Sequence, residues 1–296
     1  MNKRKKIVVD HAKALFLEKG IQQTSIQDII ERSGISKGTF YNYFSSKDEC
    51  ISAILEQSYY EITVSRLELL LKNNPKDLHI LIQQICMFTR ANEQQGISGL
   101  FEEIMHSGDK ELKKVVMNYR LQEIEWLAGR FVEVFGDDLS PHALEAAVIY
   151  FGIQQHLHFA AKLTNQRSTT TEQIVKSVFH YMRLIINSLI HEGTAILDPE
   201  RIVFFKSNFE HEQVKREEVL ELLDEIIRHS QLTKVQLELA EGLKQELEKE
   251  ELRYSIINAL LSPFLDSFRG TRLYAEAKNI MGTTWLYLNQ QTKPNK

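Results

Sequence analysis

Cysteine, proline and glycine are all scarce in this 296-residue sequence, with 2, 5 and 13 of each. Cys50 and Cys86 stand alone. They build neither a disulfide framework nor a ligand motif, and they fit a reduced, cytoplasmic chain. So few prolines and glycines leave long uninterrupted tracts for helices. No alternating apolar pattern of the kind a half-buried strand needs is present. No apolar run approaches the roughly 18 residues of a membrane span. The opening Met1–Phe16 is basic, but Asp10, His11 and Lys13 interrupt any secretory core. Enzyme signatures are missing too: no P-loop, no dinucleotide fingerprint, no nucleophile elbow and no zinc-protease helix. An enzyme is therefore not expected, nor is a cofactor. Ten histidines invite a metal reading, but His156 and His158 lie two apart on a presumed helix and point opposite ways. No metal site is expected.

What is present is concentrated in Ser33–Glu49, SGISKGTFYNYFSSKDE. Gly34 suits the left-handed geometry of a sharp inter-helix turn. Ser36 is placed to cap the next helix through its hydroxyl. Phe40 and Phe44, four apart, share one face and form an aromatic keel. Ser36, Lys37, Thr39, Tyr41, Asn42 and Tyr43 occupy the remaining circumference. Such a polar, cationic surface suits phosphates and base edges in a major groove. Upstream, Thr24 or Ser25 caps a short helix carrying Ile26, Ile29 and Ile30, and Ile7, Val8, Ala12, Leu15 and Phe16 mark another before Gly20. Three short helices of about 45–50 residues match the helix-turn-helix size range.

The net charge of −4 is unevenly spread. Residues 1–50 hold nine Lys/Arg against six Asp/Glu, or +3, which leaves −7 elsewhere. Lys3–Lys6 reads as a flexible basic arm ahead of the first helix, or as a merely solvated terminus.

Residues Lys5–Cys50 resemble the DNA-binding headpiece of the TetR family of bacterial transcriptional regulators. The matching pieces are Ala14-Leu15-Phe16, Gly20-Ile21, Thr24-Ser25-Ile26-Gln27-Asp28-Ile29, Gly34 through Phe44, and Lys47-Asp48-Glu49. The resemblance implies that Thr24 and Tyr41 bond backbone phosphates and that Lys47 stands near another. It places Lys37, Thr39 and Asn42 closest to base edges, beside Ser36. Alternatively, Tyr41 and Tyr43 pack as core.

The fold expected is all-α: a three-helix helix-turn-helix headpiece (1–46), a helical regulatory and dimerisation body (47–195) and an additional C-terminal helical region (196–296). A long helix from Lys47 would join headpiece to body and stop before Asn73-Asn74-Pro75. Pro141 would open the helix His142–Asn165, and Thr170–Glu172 would cap Gln173–His191. Both are apolar over more than one face and so need burial on two sides. The resemblance implies that they build a four-helix bundle with a second copy; alternatively they are core helices of a monomer. It also implies an effector cavity in the body. Candidate lining residues are Phe88, Phe101, Met105, Tyr119, Trp126 and Phe151, with His106 or His158 as polar anchors.

Beyond residue 196 the chain continues as a connector with an apolar cluster, Ile202–Phe205. A charged stretch, 210–251, follows, with 13 Asp/Glu against six Lys/Arg. Its apolar stripes run Val219, Leu222, Leu223, Ile226, Ile227 and then Leu232, Val235, Leu239, Leu243, Leu247. Two further segments end the chain: Ile256–Phe268, broken at Pro263, and Leu273–Leu288. The reading is a cytoplasmic, homodimeric regulator of duplex DNA, a repressor released by an apolar or amphipathic effector. The competing readings are an activator, or a helical interaction or sensor protein that no longer binds DNA.

Overall fold

The computed structural model describes residues 3–164, 170–193, 196–197, 214–229 and 232–291. Thirteen α-helices and one 3-10 turn, with no strand, occupy these described residues. The described residues within 1–62 and 74–209 form one compact unit, and those within 63–73 and 210–296 form a second. Headpiece and body, separated at residue 46 by the sequence reading, thus fall in one unit. Helix α4 (Lys47–Leu71) gives residues 47–62 to that unit and residues 63–71 to the other.

The first unit begins with α1 (Lys3–Lys19), whose Val8, Val9, Ala12, Leu15 and Phe16 are buried along one face. Gly20, at φ +85°, stops it. Helix α2 (Ile26–Ser33) opens with a reciprocal capping box. The Ser25 hydroxyl accepts the Asp28 amide at 3.1 Å, and the Asp28 carboxylate accepts the Ser25 amide at 2.8 Å. Ser25 is therefore the cap, and Gly34, at φ +66°, closes the helix. Helix α3 (Lys37–Tyr43) is capped by Ser36. Ahead of α4, Ser46 accepts the Glu49 amide at 3.1 Å and Glu49 accepts the Ser45 amide at 2.5 Å.

The body of this unit contains α5 (Leu78–Gln94), α6 (Ile97–His106), α7 (Lys110–Phe135), α8 (Ala143–Leu163) and α9 (Thr171–Glu192). Asp77, Asp109 and Thr170 cap α5, α7 and α9 through their side chains, and Gly193 ends α9 at φ +67°. Pro141 does not open α8. It sits inside the 3-10 turn Asp137–His142, whose tighter winding puts Leu139 and His142 into the interior. The buried Arg130 of α7 reaches the loop before α5: its guanidinium donates to the Pro75 carbonyl at 2.8 Å and to Gln84 Oε1 at 3.0 Å.

Two apolar clusters hold the unit together. One joins α1–α3 to the start of α4, to α6 and to the first half of α7, through Phe16, Phe40, Ile51, Leu100 and Val116 among others. The other joins α5, the second half of α7, α8 and α9 around Phe131, Tyr150 and Phe179. Their rings meet edge-on or tilted with centroids 5.3–6.1 Å apart. Cys50 and Cys86 are buried free thiols, and burial pushes Cys50 up to about 12, leaving no thiolate at neutral pH.

The second unit adds α10 (Arg216–Ile227), α11 (Lys234–Leu247), α12 (Tyr254–Ser267) and α13 (Tyr274–Gln291) to residues 63–73. The helix expected to break at Pro263 does not break. Its lost hydrogen bond costs stability, but Ile257, Leu261, Phe264 and Leu265 are buried on both sides of the proline and keep the helix wound. The expected stripe on α11 holds at Leu243 and Leu247 and fails in the first turn. Val235 is exposed, and the buried line runs Gln236, Ala240, Leu243, Leu247, because Gln236 closes a capping box with Thr233 and donates to the Ser267 carbonyl at 2.7 Å. Arg253 and Lys249 grip Glu246 and hold its carboxyl down at about 2. Glu68 of the α4 segment accepts the Tyr274 hydroxyl at 2.8 Å and pairs with Lys278 at 3.4 Å. The connector cluster Ile202–Phe205 and most of the stretch 196–213 lie outside the described residues. Among the described residues no helix is long and apolar enough to cross a membrane.

Candidate nucleic-acid interface

Helix α3 has only seven residues, too few to persist alone in water. Burial anchors it: Phe40 and Phe44 are fully enclosed, their ring centroids 5.4 Å apart. Its first turn is fixed by Ser36, whose hydroxyl accepts the Thr39 amide at 3.1 Å and stands 2.8 Å from the Thr39 hydroxyl. With the keel inside, Lys37, Gly38, Tyr41 and Asn42 are left exposed at helical spacing. Tyr41 is 47% exposed, with its ring edge-on to Phe40. Tyr43 instead packs against the headpiece core. Ser36, Lys37, Thr39, Tyr41 and Asn42 thus converge on one surface, formed by α3 and its cap. The adjoining first turn of α2 adds exposed Ser25 and Gln27. The Ser-x-x-Asp capping box is the signal that could have singled out Ser25.

Two expected phosphate contacts are placed elsewhere. Thr24 is 1% exposed, and its hydroxyl donates inward to the Gly20 carbonyl at 2.8 Å. Lys47 is half-buried; its ammonium donates to the carbonyls of Ile21 (2.9 Å) and Thr24 (3.1 Å). Both side chains are consumed by the α1–α2 loop because tight turns leave carbonyls that must find donors. They shape the surface rather than present charge on it. The basic arm is also corrected. Residues from Lys3 onward are wound into α1, Lys5 lies over the Phe44 ring at 4.9 Å, and Lys6 pairs with Glu61 at 3.1 Å. A cation over an aromatic face and an ion pair both favour the helical state of that first turn.

The residues expected to line an effector cavity do not all fall in one apolar cluster. Phe101, Met105 and Tyr119 belong to the headpiece-side cluster, Trp126 and Phe151 to the other, and Phe88 to neither. His106 is exposed, with Nδ1 2.7 Å from the Glu102 carbonyl, and His158 Nδ1 lies 3.9 Å from Glu93. Helical spacing marks a buried face without saying which core receives it. A cleft of about 240 Å³ opens instead beside the α1–α2 loop, lined by Ile21, Lys47, Asp48, Glu103, Ile104 and Asp109 among others.

At that cleft the Asp48 carboxyl faces Asp109, the cap of α7. Burial first, and then the Asp109 charge, push the Asp48 pKa up. Its folded value thus exceeds its unfolded one. The stabilisation from protonated Asp48 is complete below the unfolded value of about 3.9 and disappears as pH rises through the folded value. Asp109→Asn keeps an equally good cap and removes the like charge. It should stabilise the protein at neutral pH by less than ~1 kcal/mol, since the pair is partly solvated. Urea unfolding at about pH 4 and 7 checks this, the gain being absent at the acid end. A gain equal at both pH values would mean that the two carboxyls do not interact.

Residues 8–54 match the family model of bacterial regulatory proteins of the tetR type. Among curated proteins, the chain is 26% identical over 162 residues to YuxN of Bacillus subtilis, an uncharacterized HTH-type transcriptional regulator, covering 52% of this chain and 54% of that one. YerO of the same organism, described likewise, is 21% identical over 270 residues, covering 88% of this chain and 90% of its own length. The HTH-type transcriptional repressor KstR2 of Mycobacterium tuberculosis is 34% identical over 55 residues, 19% of this chain and 28% of the repressor. Three of these overlaps differ widely in reach, and the match to YuxN spans about half of that relative's length. No solved structure matches. The match falls on the three helices whose exposed side carries Lys37, Tyr41 and Asn42, so residues 8–54 of this chain are a headpiece of the type found in the tetR family of bacterial regulatory proteins.

Proposed function

We propose that the protein is a transcriptional regulator that grips an operator as a homodimer and acts as a repressor, released by a small apolar or amphipathic effector. The observation that carries this reading is the exposed polar face of α3 over a fully buried Phe40–Phe44 keel. Tyr41 and Ser36 supply hydroxyls for phosphates, while Lys37 and Asn42 are the side chains that reach base edges. Asp28, held near 2 by Ser25 and Lys19, stays ionised and locked in its cap, so it adds no free acid to this face. Repression is supported by the likeness to the repressor KstR2, over the headpiece alone.

Dimer formation is supported by α8 and α9. Val148, Phe159 and Leu163 on one helix and Tyr181 and Leu184 on the other are exposed, although these helices pack together. Large apolar side chains exposed on two packed helices favour an interface, and two-fold pairing is the commonest solution. Two headpieces about 34–36 Å apart would enter successive major grooves, and a change in their spacing would release the DNA.

The test is a mobility shift with DNA flanking the protein's own gene. Lys37→Ala should leave folding unchanged and weaken specific binding by about 1–3 kcal/mol, with relaxed preference at one base pair. Failure of the folded wild type to shift any such fragment would refute the regulator reading.

A further inference from the structure

The α1–α2 loop is clamped from two sides. From α6, the Glu103 carboxylate accepts the Ile21 amide at 2.8 Å and the Gln22 amide at 3.4 Å. From α4, the Lys47 ammonium takes the carbonyls of Ile21 and Thr24. The left-handed turn at Gly20 ends α1, so the Ile21 and Gln22 amides have no helical acceptor, and Glu103 supplies one. The fit is close: a Cβ at Gly20 would stand 3.4 Å from the carboxylate.

The turn that leads from α5 into α6 is also fixed to α1. Lys13 donates to Gln95 at 2.7 Å, and burial lowers the Lys13 pKa. Gly96, at φ +69°, comes so near Leu17 that a Cβ there would lie 2.4 Å from a Leu17 methyl. Helix α6 therefore braces α1 at its middle and the loop that follows at its tip. That loop leads directly into Ser25 and the first turn of α2.

We propose that Glu103 is a positioning residue for DNA binding: by holding the Ile21 and Gln22 amides it sets the place of the α2 N-terminus beside α3, and it makes the grip on DNA depend on where α6 sits. This rests on the reading that the α2–α3 face binds duplex. Glu103 touches no DNA; it acts through the loop. Any displacement of α6 pulls on two backbone hydrogen bonds charged at the acceptor, which are stronger than neutral ones. Lys47 holds the Ile21 and Thr24 carbonyls of the same loop from α4.

The experiment uses the full chain, a fluorescein-labelled mixed-sequence duplex of roughly 30 base pairs at low salt, where phosphate contacts dominate affinity, and amide hydrogen exchange over residues 20–25. Glu103→Ala should speed exchange at Ile21 and Gln22 by about tenfold or more and weaken duplex binding by about tenfold. Glu103→Gln keeps an acceptor oxygen and should recover most of both effects. A purely structural role would instead lower the melting temperature in both variants while the folded fraction bound duplex with wild-type affinity. Folded Glu103→Ala with wild-type exchange and affinity within about twofold overturns the inference. A wild type that binds no duplex overturns the DNA reading and this inference with it, whereas wild-type binding with unaffected variants removes the inference alone.

Discussion

On the proposed pairing through α8 and α9, Leu184→Glu will yield monomers and reduce affinity for a two-fold symmetric DNA site by at least about 100-fold. Leu184 is 70% exposed on α9, three residues from the exposed Tyr181, and Phe159 on α8 is 60% exposed. Burying a leucine contributes about 1.5–3 kcal/mol, and in a two-fold interface each substitution counts twice. Two carboxylates forced toward one another in the same face add an unpaired-charge penalty of several kcal/mol. Together these exceed the ~2.7 kcal/mol that a 100-fold change requires. A monomer keeps one headpiece and reads half a site. Sedimentation at micromolar concentration, with anisotropy on the same samples, checks both effects. The opposite result, an unchanged dimer, would move the interface away from α8 and α9. A wild type that is itself monomeric would end the proposal of pairing.

The headpiece was legible because its signals are local. Ser25 with Asp28, Gly34, Ser36, and Phe40 with Phe44 all act within four residues of one another, and each takes the backbone role its type favours. Side-chain direction was not legible. Thr24 and Lys47 have the chemistry of phosphate ligands, but their partners are carbonyls of the loop they share, up to 26 residues away in sequence. Four consecutive basic residues suggest a repelling, extended arm. The helix there is held through Phe44 and Glu61, which no local window contains.

Further along, periodicity marked helices correctly and failed at phase and membership. Val235 and Gln236 differ by one position, and a cap together with a hydrogen bond to Ser267 decides which turns inward. Pro263 should end a helix by propensity, but burial of its neighbours outweighs the lost bond. The aromatic residues read as a cavity lining are divided between two cores, because α7 runs through both: Tyr119 faces one and Trp126 the other, seven residues apart. The Glu103 clamp carried no sequence signal at all, since a glutamate on a short helix is ordinarily a solvated one.

Phe40→Ala carries the largest expected loss of stability, about 3–5 kcal/mol, with DNA binding abolished. Phe40 is 0% exposed and belongs to the headpiece cluster that α3 shares with α1, α2 and α4. Three terms hold α3 in place: the two buried rings, the Ser36 cap and the chain connections. Loss of the cap in Ser36→Ala costs about 1 kcal/mol, so the ring contributes severalfold more. A seven-residue helix has no intrinsic stability to fall back on, and without Phe40 the single ring of Phe44, the Ser36 cap and the chain connections must keep Lys37, Tyr41 and Asn42 aimed outward. Chemical unfolding gives the magnitude, and hydrogen exchange over residues 37–43 locates it. A change below ~1 kcal/mol would mean that the cavity collapses around a smaller side chain. The exposed face would then depend on its cap and turn more than on its keel.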